Sequence, residues 1–166
     1  MRDGGTVTAW FANNPSIKTT TTFKKLETIQ TEVIYASSEE VGDGDAKNLV
    51  DGDPATYWHS MYSVTVAKYP HWVDLDAGEV KTIKGFTYMP RQDSYNGNVK
   101  EYTIHVSMDG KNWGEPVQKG TFAGNRDEKK VIFSQPVKGR YIRFTALSEQ
   151  YGQDYASGAE LTILAE

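Results

Sequence analysis

Cysteine does not occur in the 166 residues. Disulfides, thiol catalysis and thiolate zinc sites are excluded together, and the compartment is left open. Nowhere do about 18 apolar residues run on, so no segment reads as a membrane-spanning helix. The opening Met1-Arg2-Asp3-Gly4-Gly5 has no apolar core of the kind a signal peptide needs. Basic charge is in deficit: 18 Lys and Arg stand against 22 Asp and Glu, for a net charge of −4. That balance argues against a general nucleic-acid binder or a protein that inserts into acidic membranes. No G-x-S-x-G, phosphate loop or dinucleotide fingerprint is present. The three histidines are scattered, with no nucleophile beside them and no metal-binding pair at helical spacing.

Helical periodicity is also missing, and alternating runs between turn residues take its place. Residues 6–12 and 19–23 read as two short strands broken by Asn13-Asn14-Pro15. Two strands alone are marginal in water. Residues 1–25 are therefore expected to be the tail of a preceding small β-domain or extra edge strands, with 26–30 as linker. From residue 31 onward the chain is strand and turn: 31–36, 72–76, 80–89, 102–106, 131–133, 140–146 and 159–164, with one helical turn at 46–50. About eight short strands without a ten-residue helix predict an all-β antiparallel sandwich over 31–166. With 38% hydrophobic and 12% aromatic residues, a packed core must supply the stability, helped by any bound ion.

The densest chemistry lies between Asn48 and Ser60. Asp51-Gly52 is a turn dipeptide and Pro54 sets the chain direction after it. Asp51, Asp53 and Thr56 thus turn oxygens toward one small volume, an arrangement that suits a hard cation such as Ca²⁺. The plain alternative is a turn with solvated acids. In a sandwich the first and last strands lie side by side, so Glu160 is placed to add a distant oxygen, or to be a surface acid. His59 follows at once. Arg91 begins the loop after Met89-Pro90, and Asn96-Gly97 closes it as a tight turn. An imidazole, a planar Arg fork and an Asn amide at a sandwich end are directed donors to neighbouring hydroxyls or to carboxylates. Tyr151 and Tyr155 stand in a polar loop, where one ring is free to stack on a sugar face or to close over the core. Asp74 and Asp76 share a strand face; paired carboxylates hydrolyse glycosides, but polar residues are expected at those positions anyway.

Taken in order, these segments resemble the F5/8 type C (discoidin) domain, specifically the carbohydrate-binding modules of family 32. The resemblance is carried by Asn48-Leu49-Val50-Asp51-Gly52-Asp53 with Thr56-Tyr57-Trp58-His59 and by Pro70-His71-Trp72-Val73-Asp74-Leu75-Asp76. It continues with Tyr88-Met89-Pro90-Arg91, then Asp109-Gly110, Gly139-Arg140-Tyr141-Ile142-Arg143-Phe144 and Ala159-Glu160-Leu161. It implies a jelly roll with one structural Ca²⁺ held by Asp51, Asp53, Thr56 and Glu160 and by the carbonyls near Asn48 and Ala159. Beside the ion it implies a shallow site where His59, Arg91 and Asn96 hydrogen-bond a galactose-type or N-acetylated sugar. Tyr155, with Tyr151 as second choice, would stack on that sugar; Tyr62 and Glu40 would approach it. The resemblance further implies a non-catalytic, monomeric, extracellular, cell-surface or periplasmic module tied to an upstream glycosidase. A weaker likeness of residues 5–11 to the small β-domain that follows the catalytic domain in β-hexosaminidases and fucosidases points the same way. The rival readings are an adhesion module for protein or lipid, and a domain without ligand.

Overall fold

The computed structural model describes residues 25–166 throughout and, of the segment before them, the backbone of two strands. Those two, β1 (Thr6–Trp10) and β2 (Lys18–Thr22), form an antiparallel pair with Thr6 opposite Thr22. The expected strand extensions at 11–12 and 23, and the Asn13-Asn14-Pro15 break, lie outside the described residues.

The rest is an antiparallel β-sandwich built from β3 (Glu27–Ile29), β4 (Glu32–Ala36), β5 (Trp58–His59), β6 (His71–Met89), β7 (Glu101–Ser107), β8 (Gln118–Thr121), β9 (Lys129–Ala146), β10 (Ser157–Gly158) and β11 (Glu160–Ala165). A single 3-10 turn, Ala46–Val50, precedes the acidic loop. The segments expected as separate strands at 72–76 and 80–89 are one strand, β6, and those at 131–133 and 140–146 are one strand, β9. These two long strands pair with each other, and their register shifts between Asp76 and Lys81 and again between Ile83 and Gly85. The shifts bend the pair. Its one half joins β4 and β7, its other half joins β11, and the core lies between. Sequence reading leaves 77–79 and 134–139 between runs; the β6–β9 pairing does lapse at 77–80 and at 133–136, but it resumes at once beyond them, which joins the runs into single strands.

Residues 26–30, read as a connector, contain β3, whose Ile29 pairs with Ile163 and Glu27 with Ala165. Three residues carry too little hydrophobic pattern to be seen, but the edge of β11 offers backbone partners. The core is aromatic. Phe86 meets Tyr102 and Phe144 at 5.5 and 6.3 Å, and Phe122 lies flat between Tyr88 and Tyr102 at 5.0 and 4.1 Å. Trp58 and Tyr88 are fully buried, yet both keep their polar ends bonded: Trp58 Nε1 donates to the Ser38 carbonyl at 2.9 Å, Tyr88 Oη to that of Ser157 at 2.7 Å. Both bonds hold loops at one end of the sandwich.

Candidate functional site

At that end the short strands β5 and β10 pair, with Ser157 opposite His59 and Gly158 opposite Trp58. Ser60 extends the ladder: its N–H donates to the Ala156 carbonyl at 2.8 Å, and its Oγ accepts from Ala156 N–H at 3.0 Å. From the other side the 40–44 turn closes on His59. Glu40 N–H donates to the His59 carbonyl and His59 N–H to the Gly44 carbonyl, at 2.8 and 3.1 Å. Gly44 is required by closeness, since a Cβ there would lie 2.6 Å from His59 Cβ. His59 is therefore gripped on both edges of its strand.

His59, Tyr62, Arg91, Asn96 and Tyr155 line one hollow of about 240 Å³. Five of the seven residues expected to meet a sugar are thereby brought together from three segments of the chain. Small-molecule sites usually run from about 300 Å³ upward, so this one is monosaccharide-sized. A larger hollow of about 430 Å³ lies at Asp76–Gly78 and Arg140, but it lacks the ring-bearing residues. The His59 ring meets Tyr62 edge-on at 4.9 Å and Tyr155 at 5.4 Å. Tyr155 is fixed from beneath: Tyr69 Oη donates to its carbonyl, and His71 Nε2 donates to the Asp154 carbonyl at 2.7 Å.

Arg91 lies flat over Tyr57, its Cζ 3.7 Å from the ring centroid. Its Nε and Nη2 donate to the two Asp93 oxygens, and that bond holds the Asp93 carboxyl below the usual carboxylate range. The fork is thus oriented before any ligand arrives, and Nη1 is left to donate. Asn96 has its backbone committed, N–H to Ser94 Oγ at 3.1 Å and carbonyl to Ser157 Oγ at 2.6 Å. Its side chain stays at the surface. His59 is 2% exposed, and burial depresses its basicity below the ordinary histidine value. Its Nδ1 sits 2.7 Å from the Ser60 carbonyl. A carbonyl only accepts, so Nδ1 carries the proton and Nε2 of the neutral ring is an acceptor. The sequence reading took this imidazole as a donor; the tautomer reverses that.

Glu40 and Tyr151 fall elsewhere. Glu40 accepts from the backbone N–H groups of Tyr62 and Ser63, at 2.7 and 3.0 Å, and from Ser63 Oγ. The Ser63 hydroxyl first, and those amides next, hold its carboxyl low. It buttresses the Tyr62 segment instead of lining the hollow. Tyr151 packs against Tyr95. Tyr62 Oη donates to Asp43, a bond that pushes its phenol up to about 12 and keeps it neutral. Sequence reasoning gave no site role to Asp43, Tyr57, Tyr69, His71 or Asp93: Tyr57 and His71 stand in the segments that carry the resemblance, but the partners these residues hold lie elsewhere in the chain or look like ordinary loop neighbours. The pair Arg91-x-Asp93 was the one available signal. The loop tips are also less uniformly polar than their composition suggests, with Val64 86% exposed.

In the acidic loop, Asp51 accepts from Asp53 N–H at 2.9 Å and from Thr56 Oγ1 at 2.7 Å, while Asp53 accepts from Ala55 N–H at 2.9 Å. Asn48 Nδ2 donates to the Tyr57 carbonyl at 3.1 Å, tying the two ends of the loop. Glu160 begins β11 opposite Met89, and Ala159 N–H donates to the Met89 carbonyl. Glu160 Oε1 is buried and has no partner. Burial, then the hydrogen bond and charge shared with Asp51, push the Glu160 carboxyl up to about 7. A hollow of about 130 Å³ lies beside Asp51, Gly52 and Glu160. Among the described residues no three His, Cys, Asp or Glu side chains form a metal cage. Two crowded carboxylates, one orphaned oxygen and nearby hydroxyl and carbonyl oxygens nevertheless fit a hard cation. Asp74 and Asp76 are not such a pair: each accepts from Nε and Nη2 of one guanidinium, Arg143 and Arg140 respectively, at 2.6–2.8 Å.

Residues 33–161 match the F5/8 type C domain family, and the chain belongs to it. A sialidase of Micromonospora viridifaciens is 40% identical over an alignment of 156 residues that covers 92% of this chain and 24% of that protein. The chain spans about a quarter or less of the curated relatives it matches. Its structural neighbours include family 32 carbohydrate-binding modules. CpGH89CBM32-5 from Clostridium perfringens, in complex with GalNAc-β-1,3-galactose, has a TM-score of 0.75 at 31% identity, covering 82% of this chain and 99% of that one. The family 32 module of C. perfringens NanJ, in complex with galactose, has a TM-score of 0.75 at 26% identity, covering 84% and 99%.

The grip on His59 is testable without any ligand. Gly44→Ala is expected to lower stability by about 1–3 kcal/mol through overpacking, read by urea unfolding, and to displace the His59 ring resonances in NMR spectra. Unmoved resonances would show that the 40–44 turn does not position the imidazole.

Proposed function

We propose that this chain is a non-catalytic module that binds galactose-type or N-acetylated terminal sugars and holds an attached glycosidase near its glycan. The observation carrying this reading is the convergence of His59, Arg91 and Asn96 with two rings, Tyr62 and Tyr155, on one monosaccharide-sized hollow. The bound sugars named for the two structural relatives support it. Mechanistically, one sugar hydroxyl donates to His59 Nε2 and accepts from Arg91 Nη1. A neighbouring hydroxyl meets the Asn96 amide, while Tyr155 covers the apolar ring face. Donors and acceptor converging from one side favour a sugar with an axial hydroxyl. A shallow site of this kind gives millimolar to sub-millimolar affinity, roughly −4 to −5 kcal/mol, and tethering raises its effect through local concentration. The module would act as a monomer outside the cell, at its surface or in the periplasm.

Beside the sugar, Asp51 and Glu160 would hold Ca²⁺ with oxygens of Thr56 and Asp53 and the carbonyls near Asn48 and Ala159. The ion supplies positive charge that relieves the carboxylate pair. Glu160 lies opposite Met89, two residues before Arg91, so the ion would brace the sugar loop through the β11–β6 ladder.

Arg91→Ala is expected to abolish retention on galactose-bearing resin with Tm unchanged; retention equal to wild type would reject the pocket. The pH profile follows from His59. Its neutral form accepts the hydroxyl proton, so affinity is level above the ordinary histidine range and falls in acid as Nε2 takes up a proton. Because burial lowers its pKa, the fall begins below about pH 6.5; titration calorimetry across pH reads it, and His59→Gln should flatten the curve. Chelation should lower Tm and millimolar Ca²⁺ restore it, as linkage requires of an ion bound only by the native state. In Asp51→Ala both responses should vanish.

A further inference from the structure

The two loops that supply Asn96 and Tyr155 each carry a second ring, and these two rings meet outside the hollow. Tyr95 and Tyr151 stand with centroids 6.2 Å apart at 88°, and they remain 44% and 60% exposed. An edge-to-face pair left so open gains the fold little burial. Both rings are nevertheless held firmly. Arg126 lies over Tyr95, its Cζ 4.7 Å from the centroid. Arg126 is itself locked to the Arg91 loop by its bond to the Gln92 carbonyl and by Gln92 Nε2 donating to the Arg126 carbonyl at 3.0 Å. On the other loop, the buried Glu149 carboxylate accepts from Tyr151 N–H at 2.7 Å and from Gln153 N–H at 3.0 Å, with Gly152 at φ +74° between them. That turn presents Tyr151 outward.

Resting on the pocket reading above, we infer that Tyr95 and Tyr151 form an outer subsite for the second residue of the glycan whose terminal sugar sits at His59. The argument is continuity. Tyr95 directly precedes Asn96, so the two Cα atoms are about 3.8 Å apart, and Tyr151 and Tyr155 lie on one short turn. Consecutive sugars are joined through a single oxygen, so a second ring must land on the rim of the pocket that holds the first. Arg126 covers one face of Tyr95, and the more exposed Tyr151 supplies the open aromatic surface. The neighbouring guanidinium of Arg126, which commits only Nη1 to the Gln92 carbonyl, is suited to donate to hydroxyls of that second residue. The preferred ligand class is therefore a terminal disaccharide, with selectivity for linkage arising outside the hollow.

The test compares methyl β-galactoside with lactose, N-acetyllactosamine and galactosyl-β-1,3-N-acetylgalactosamine by NMR titration. At least one disaccharide should bind wild type about three- to tenfold more tightly than methyl β-galactoside, the worth of one aromatic contact. Tyr95→Ala/Tyr151→Ala should erase that gain and leave the methyl β-galactoside Kd within twofold, which also certifies the fold. Tyr151→Ser alone, at the more exposed ring, should remove most of the gain if the double variant is unstable. The subsite is overturned if no disaccharide exceeds the monosaccharide, or if the gain persists in the variants. Binding of methyl β-galactoside with loss in Arg91→Ala keeps the pocket whatever happens to the subsite. No binding of any of the four sugars overturns the subsite and the galactose reading of the pocket together.

Discussion

Two backbone pairs, His59 with Ser157 and Trp58 with Gly158, set the geometry of the whole binding end. Alone, strands of two residues have no stability. They persist here because Trp58 is sunk in the core, Tyr88 bonds the Ser157 carbonyl from below, and Ser60 continues the ladder to Ala156. Once these segments are joined, the imidazole and the Tyr155 ring have no freedom to separate. The loop bearing Arg91 and Asn96 is drawn in by Ser157 Oγ and by the start of β11. The site is an outcome of pairing between segments about a hundred residues apart in the chain.

A second layer of contacts prepares the polar groups. Arg91 is stacked on Tyr57 and forked to Asp93, so the entropy of ordering a long side chain is lost during folding instead of at binding. Ser60 decides which nitrogen of His59 bears hydrogen. Asp43 keeps Tyr62 neutral and turned. These residues touch the hollow only through the side chains they position, yet each one determines what those side chains offer to a ligand. The same division appears at the acidic loop, where Thr56 and Asn48 shape the turn around the two carboxylates.

How much of this was legible depended on whether a residue announces itself by pattern. The sandwich could be read because Tyr102, Ile104 and Ile142, Phe144 alternate as half-buried strands must. His59, Arg91, Asn96 and Tyr155 stood out as unusual side chains in loops at strand ends. What stayed hidden was supplied by partners distant in sequence. β3 has almost no hydrophobic signature and exists because β11 leaves an edge; β6 and β9 are single strands because each finds the other again beyond the unpaired stretches at 77–80 and 133–136. Asp93 and Asp43 look like any surface acids until a guanidinium and a phenol arrive from elsewhere. Glu40 and Tyr151 carry the right chemistry, but the loops aim them at a backbone segment and at Tyr95.

The short strand β3 has a mechanical side. Glu27 lies against Ala165, level with Ile83 near the bend, whereas the hollow opens beyond Met89 at the opposite end. Tension between an anchored surface and the incoming chain would therefore run lengthwise along the sheet. Loaded in that direction, the pairs of β11 with β6 slide against one another as a group and share the pull, while the three pairs of β3 form the first link to give way. Release of β3 would lengthen the chain at that end and leave the pairing of β4, β6, β9 and β11 intact.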